Sequence, residues 1–371
     1  MGKHRKHTKL TPKKNGYFAL NEIAFLGTKC SVIADLVKNI SRKLSGDLKL
    51  AYLDASHDSK IKAPVIDDFV FHHSGNLVKT GVAKLNRYND KIRFSEYDLL
   101  FINGNHYQGE QQILILDKEK EASVLKRIDQ LENIQFIISV NEESEIFGFL
   151  KNKYPNIENL HVYSISEIDK ISQHIENIIK EKIPPVKGLV LAGGKSIRMG
   201  SDKGLLNFHG KSQRKYAIEM LEDLNLKTFL SVRKEQNIKA VSTVEDKFLD
   251  LGPFGAICSA FQSNPNVAWL VLATDLPFVS KKIIKLLLEN RNPSKIATAI
   301  KGVGKEFPEP LITIWEPRSY PILLSYLAQG ISCPRKVLIN NDVEILEIDD
   351  GFITNVNTPE EFVAVKKEID A

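Results

Sequence analysis

The sequence predicts an α/β protein built as two tandem domains, each a mostly parallel sheet with flanking helices, and three observations carry that prediction. Short apolar runs rich in β-branched residues alternate with longer segments of helical period, the pattern of a parallel sheet covered by helices. The 371 residues exceed what one hydrophobic core usually fills, roughly 250 to 300 residues. The pattern also stops and restarts at "IIKEKIPPVKG", where Pro184 and Pro185 cannot continue a helix and restrict the residue before each. A boundary near Lys182 follows, with a basic arm over residues 1–16, a first domain over 17–182 and a second over 183–371.

In the first domain the expected strands are "YFALNEIAFL", "LKLAYLD", "YDLLFING", "QQILILD" and "IQFIISV". Between and after them "SVIADLVKNISRKL", "KEASVLKRIDQL" and "SEIDKISQHIENIIKE" place apolar residues at helical spacing. The second domain begins afresh with the strand "VKGLVLA". A helix around "QRKYAIEMLEDL", strands at "TFLSV" and "AWLVLA", helices at "FGAICSAFQ" and "KKIIKLLLEN", and a closing helix at "TPEEFVAVKKEI" follow. No repeat relates the halves.

Composition excludes several classes. With 43% apolar and 26% charged residues the chain is that of a folded globular protein, and no apolar run approaches the roughly 18 residues of a membrane span. The arm "MGKHRKHTKLTPKK" lacks the apolar segment of a secretory signal, so the protein is expected in the cytoplasm. Lys3, Arg5, Lys6, Lys9, Lys13 and Lys14 account for the net charge of +5, so the rest is near neutral and no nucleic-acid partner is expected. His4 and His7 in that arm have no carboxylate or thiol at ligand spacing and read as a solvated tail. Cys30, Cys258 and Cys333 are odd in number and widely spaced, which suits a reducing compartment and small buried side chains.

The chemistry concentrates in "LAGGKSIRMGSDK", Leu191 to Lys203, directly after the first strand of the second domain. A loop there lies at the carboxyl edge of a parallel sheet, where doubly wound folds bind ligands. Gly193 and Gly194 let backbone amides approach a phosphate, and Lys195, Arg198 and Lys203 can neutralise its charge. The glycine register matches neither a Walker loop nor a dinucleotide fingerprint. The bland alternative is a solvated basic turn.

Residue by residue, the stretch resembles the LAGG-x-S-x-RMG-x-DK signature of the nucleotidyltransferases that attach GMP to molybdopterin, the MobA type of molybdenum cofactor guanylyltransferase. "VEDKFLDLGPFGAICSA", "VLATDLP" and "FITNVNTPEEF" resemble that family's later segments in the same order, so the likeness runs from about Val186 to the carboxyl end. It implies a Rossmann-like nucleotidyltransferase fold and transfer of GMP from GTP to the phosphate of molybdopterin with release of pyrophosphate. It further implies Mg2+ held by Asp275, charge compensation by Arg198 and Lys203, and GTP contacts from Leu191, Ala192, Gly193, Gly194, Lys203, Ser231, Asp246 and Asp275. Asn355 and Asn357 would face the pterin or its phosphate as alternating strand residues.

Each of these has a structural alternative. Asp275 could cap the helix after Pro277, Asp246 could initiate a loop, and the asparagines could serve a turn in which Thr358 caps the last helix. Gly252 and Pro253 shape the loop before their helix. Ser231 stands where the family often has Asn, which leaves base choice open between GTP and CTP. A sugar-phosphate acceptor shares the same fold, although the Pro-x-Thr segment usual before the Lys in such enzymes is missing from "RMGSDK". A non-catalytic scaffold for cofactor assembly is the reading from another class.

The first domain resembles the MobB family of P-loop GTP-binding proteins through "DDFVFHHSG" and "YDLLFINGNH". In "FLGTKCSVIADL", Gly27, Lys29 and Ser31 stand in a loop shorter than a phosphate loop, and Asn103 replaces an acidic residue that could face Mg2+. His72 and His73 read as solvated loop residues. The expectation is a P-loop-like domain that has lost GTPase function and serves structure or docking, with other molybdenum cofactor biosynthesis proteins as its partners.

Overall fold

The structure is a computed structural model, and it describes residues 18–46, 48–56, 66–72, 77–80, 87–141, 145–192, 203–236, 238, 241–356 and 358–370. The chain divides into two compact units, Met1–Lys182 and Ile183–Ala371.

The first unit runs β1 (Glu22–Leu26), α1 (Cys30–Leu44), β2 (Leu50–Leu53), β3 (Asp68–Phe71), β4 (Leu77–Thr80), α2 (Arg87–Arg93), β5 (Leu99–Asn103), β6 (Gln111–Leu116), α3 (Glu121–Lys126), β7 (Ile134–Ser139), α4 (Gly148–Lys153), β8 (Val162–Ser164) and α5 (Ile168–Glu181). Six strands form one sheet in the order β2-β5-β1-β6-β7-β8, every neighbouring pair parallel. β1, β5 and β6 are buried at every residue, which is why their sequences are continuous apolar runs and not alternating ones. Ile33, Leu36, Val37 and Ile40 of α1 and Ile171, Ile175, Ile178 and Ile179 of α5 cover the same core. β3 and β4 make a separate antiparallel ribbon.

Two expectations are corrected here. The first strand does not start at Tyr17 but at Glu22, because the buried Glu22 carboxylate accepts from the N–H of Phe18 at 3.0 Å and of Ala19 at 3.2 Å and bends the chain. The helix expected over "KEASVLKRIDQL" breaks at Arg127 into α3 and a 3-10 turn, Ile128–Gln130. Arg127 donates to Asn105 O (Nε, 3.1 Å) and to Ser123 Oγ (Nη1, 2.6 Å), holding the break in place.

The second unit runs β9 (Val186–Leu191), α6 (Gln213–Glu222), β10 (Thr228–Val232), β11 (Thr243–Glu245), α7 (Gly252–Ser263), β12 (Ala268–Ala273), α8 (Lys281–Glu289), β13 (Ala297–Gly302), β14 (Glu309–Trp315), α9 (Ser319–Ala328), α10 (Pro334–Ile339), β15 (Glu344–Ile348) and α11 (Pro359–Ile369). Its seven-stranded sheet has the order β11-β10-β9-β12-β14-β13-β15. Only β14 runs against its neighbours. The chain leaves β9 toward β10 and β11 on one side and later returns to place β12 on the other. The strand order therefore reverses at β9, and a crevice opens above the carboxyl ends of β9 and β12. Gly188 lets α6 and β10 pack close: a Cβ there would meet Thr228 Oγ1 at 2.8 Å and Leu221 Cδ1 at 2.9 Å.

Candidate nucleotidyl-transfer site

The site begins where β9 ends. Leu191 lies level with Ser231 of β10 and with Ala273 of β12, so three strand ends reach one edge together. Thr274 Oγ1 donates to Leu191 O at 3.2 Å, and Gln236 Nε2 donates to Ala192 O at 3.4 Å. These bonds fix the last residues before the glycine-rich loop. Gly193, Gly194 and Arg198 lie outside the described residues. Of Lys203 only the backbone is described, as the start of the 3-10 turn Lys203–Leu205.

Asp275 follows β12 and Thr274 at the same edge, partly exposed. Its carbonyl accepts from Val356 N at 2.9 Å, which brings the closing "NVN" segment to the Asp275 turn. Asn355 and Val356 are not in a strand, contrary to the expectation. Val356 is fully buried and pins the chain while Asn355 is exposed in irregular backbone, and Asn357 lies outside the described residues. Thr358 caps α11 in a reciprocal capping box with Glu361. On the far side of the turn His209 Nε2 donates to Pro277 O at 2.8 Å and stacks on Tyr216 at 3.9 Å. Phe208 beside it is buried under α11, packed on Phe362. The chain just downstream of Lys203 is thereby fastened to the chain just downstream of Asp275.

Glu309 is the residue that sequence reasoning missed. β14 runs antiparallel to β12, and its first residue, Glu309, lies close enough to Asp275 for the two negative charges to interact. Glu309 is 9% exposed, and Arg335 Nη2 donates to its Oε2 at 2.9 Å while Arg335 Nε donates to Pro308 O at 3.2 Å. Burial pushes the Glu309 carboxyl above its ordinary value, Arg335 pulls it back, and the negative charge of Asp275 pushes it up again. The available signal was a carboxylate at the head of an apolar strand, "EPLITIW", mirroring Asp275 at the tail of another.

Asp246 is held by its own local contacts. Its Oδ1 accepts from Phe248 N at 3.1 Å and from Ser259 Oγ at 2.9 Å, so this oxygen ties the loop after β11 to α7. Ser231 is buried inside β10. Among the described residues no group of three or more His, Cys, Asp or Glu is placed to hold a metal. The donors at the crevice are carboxylate oxygens, a set suited to a hard cation such as Mg2+, which commonly takes one or two carboxylates and completes its shell from substrate phosphates and water.

In the first unit only Gly27, Thr28 and Lys29 separate β1 from α1. Lys29 Nζ pairs with Glu119 Oε2 at 2.8 Å, and Thr28 Oγ1 donates to Asp117 Oδ2 at 2.6 Å. Asn103 Nδ2 donates to Asp54 Oδ1 at 2.8 Å. His72 is exposed, and His73 lies outside the described residues.

A mostly parallel sheet whose strand order reverses at β9, with a carboxylate on the turn beside the reversal, defines an α/β domain of the doubly wound kind, whose ligand crevice lies at that reversal. Residues 188–343 match the family model described as MobA-like NTP transferase domain, and the second unit of this chain therefore carries a MobA-like nucleotidyltransferase domain. Over 183 residues the chain is 33% identical to a molybdenum cofactor biosynthesis bifunctional protein of Synechocystis sp., a match covering 48% of this chain and 53% of that protein. The chain thus spans about half the length of that relative. It is 27% identical over 179 residues to a probable molybdenum cofactor guanylyltransferase of Flavobacterium johnsoniae, covering 46% of this chain and 92% of the relative. A solved structure, molybdopterin-guanine dinucleotide biosynthesis protein A from Archaeoglobus fulgidus, aligns at 22% identity and a TM-score of 0.43, covering 50% of this chain and 98% of that one. No described helix is long and apolar enough to cross a membrane.

Proposed function

We propose that the second unit transfers GMP from GTP to the phosphate of molybdopterin, with Mg2+ as cofactor and pyrophosphate as the leaving product. The observation that carries this reading is the Asp275 turn, held in the crevice by Thr274 against Leu191, by Val356 and by His209. A carboxylate fixed on rigid strand ends can meet a triphosphate entering over β9. Phosphoryl chemistry asks the protein mainly for in-line placement of reactants and compensation of charge. Asp275 is the assigned metal ligand, and a bound Mg2+ would draw charge from the triphosphate and hold its oxygens in place. Arg198 and Lys203 are assigned to the charge on the α- and β-phosphates, with Leu191, Ala192, Gly193, Gly194, Ser231 and Asp246 toward the nucleotide and Asn355 and Asn357 toward the acceptor. The Glu309–Arg335 pair lies beside Asp275, and Arg335 offsets the charge of the second carboxylate.

The first unit is proposed as a structural or docking domain without nucleotide turnover. Its linker is too short to wrap phosphates, and Asp117 and Glu119 place negative charge around Thr28 and Lys29. Release of pyrophosphate by the purified chain, comparing GTP, CTP and ATP against molybdopterin and sugar phosphates, tests the function. Release with CTP in place of GTP, or with a sugar phosphate in place of molybdopterin, would replace the substrate assignment. Binding of GTP without any release would point to a scaffold.

A further inference from the structure

At the carboxyl edge of the first sheet the chain assembles a thiol, an imidazole and a carboxylate from three separate segments. Cys30 is the first residue of the 15-residue helix α1, whose N-cap makes no side-chain hydrogen bond and whose first turn holds no acidic residue. Its Sγ lies 3.3 Å from His106 Nε2, and Asn105 Nδ2 donates to it at 3.7 Å. His106 Nε2 is also 4.0 Å from Asp54 Oδ1. Asp54 is itself held by Asn103 Nδ2 at 2.8 Å, by Ala55 N at 2.7 Å and by Tyr52 OH at 2.8 Å. The same imidazole nitrogen faces sulfur and carboxylate, so Asp54 is placed to stabilise positive charge on the ring. Asn105 is in turn fixed by Nδ2 donating to Thr28 O at 2.8 Å. Sulfur thus has an imidazole nitrogen on one side and an amide donor on the other, at a helix start whose dipole favours negative charge.

We propose that Cys30 is a nucleophilic thiol that undergoes exchange with low-molecular-weight disulfides, with His106 as its base and Asp54 stabilising the imidazolium. Cys30 Sγ–H gives its proton to His106 Nε2 and the sulfur attacks one sulfur of the small disulfide. A new S–S bond forms as the reagent's own S–S bond breaks, and the departing thiolate takes the proton back from His106. One protein thiol and one disulfide become a mixed disulfide and one free small thiol, so atoms and electrons balance.

The other two cysteines are internal controls. Cys258 is buried, its thiol pushed up to about 12 by burial and by Asp246. Cys333 is exposed, at the start of the six-residue α10, and is more accessible than Cys30. The full chain is treated with cystamine at neutral pH, and adduct formation at each cysteine is followed by peptide mass spectrometry. Cys30 is expected to react at least about tenfold faster than Cys333 despite its lower exposure. His106→Gln and Asp54→Asn should each slow Cys30 by about tenfold or more and leave Cys333 unchanged. A Cys333 rate equal to or above that of Cys30 overturns the proposal, as does an unchanged Cys30 rate in a folded His106→Gln variant. The wild-type comparison decides the matter by itself if either variant fails to fold.

Discussion

Asp275 and Glu309 are two carboxylates at one sheet edge with different tasks. Replacing Asp275 by Asn keeps its size and removes the charge, so nucleotidyl transfer should fall by at least about a hundredfold, measured as pyrophosphate release. An Asp275→Asn variant as active as wild type would end the metal assignment. Glu309 makes a stability prediction with a definite sign. Its folded carboxyl lies above the ordinary 4.5, so the native state holds that proton more tightly than the unfolded chain. Ionised Glu309 therefore costs stability, a cost absent at low pH that grows as pH rises from the ordinary glutamate value through the raised one. Urea unfolding of Glu309→Gln against wild type should show the variant gaining relative stability over that rise; a difference independent of pH contradicts it. Asp275 was legible in the sequence because it ends an apolar strand within a recognisable motif. Glu309 was not, since nothing local says that β14 runs antiparallel to β12 and delivers its first residue to the same edge.

Elements meet through a few close contacts that should be costly to disturb. Gly255 on α7 sits where a Cβ would be 2.2 Å from the carbonyl oxygen of Phe248, a backbone atom of the loop that Asp246 organises. Gly255→Ala should lose about 1–3 kcal/mol in denaturant unfolding, because backbone must move to admit the methyl group. Arg291, beyond α8, grips Glu316, beyond β14, with Nε to Oε1 at 2.7 Å and Nη2 to Oε2 at 2.8 Å, and both side chains are nearly buried. Arg291→Met leaves a buried carboxylate without its partner and should cost roughly 3–5 kcal/mol in the same measurement. At the carboxyl end, loss of the cap in Thr358→Ala should cost about 1 kcal/mol. That cap was readable from "TPEE" alone, since capping is a matter of spacing within four residues. The break at Arg127 was not, because it depends on a hydrogen bond to Asn105 from another loop.

For the whole molecule, the two units differ in what surrounds their first βα loops. Thermal unfolding of the full chain in GTP and Mg2+ should show stabilisation of about 2.7 kcal/mol at a ligand concentration a hundredfold above Kd. Asp275→Asn should remove that shift and Lys29→Ala should leave it intact; the opposite pattern would move nucleotide binding to the first unit. The sequence by itself determined the alternation of strands and helices, the division near Lys182, the glycine-rich loop after β9 and the motif around Asp275. All of these are encoded in contiguous residues, where periodicity, proline geometry and short-range spacing act. Only the tertiary structure decided that β14 opposes β12, that Val356 and His209 clamp the Asp275 turn, and that Cys30, His106 and Asp54 converge. The contacting residues are 40 (Leu272 and Ile312) to 81 (Asp275 and Val356) positions apart in sequence, and their proximity follows from strand order and burial, which no local stretch of chain specifies.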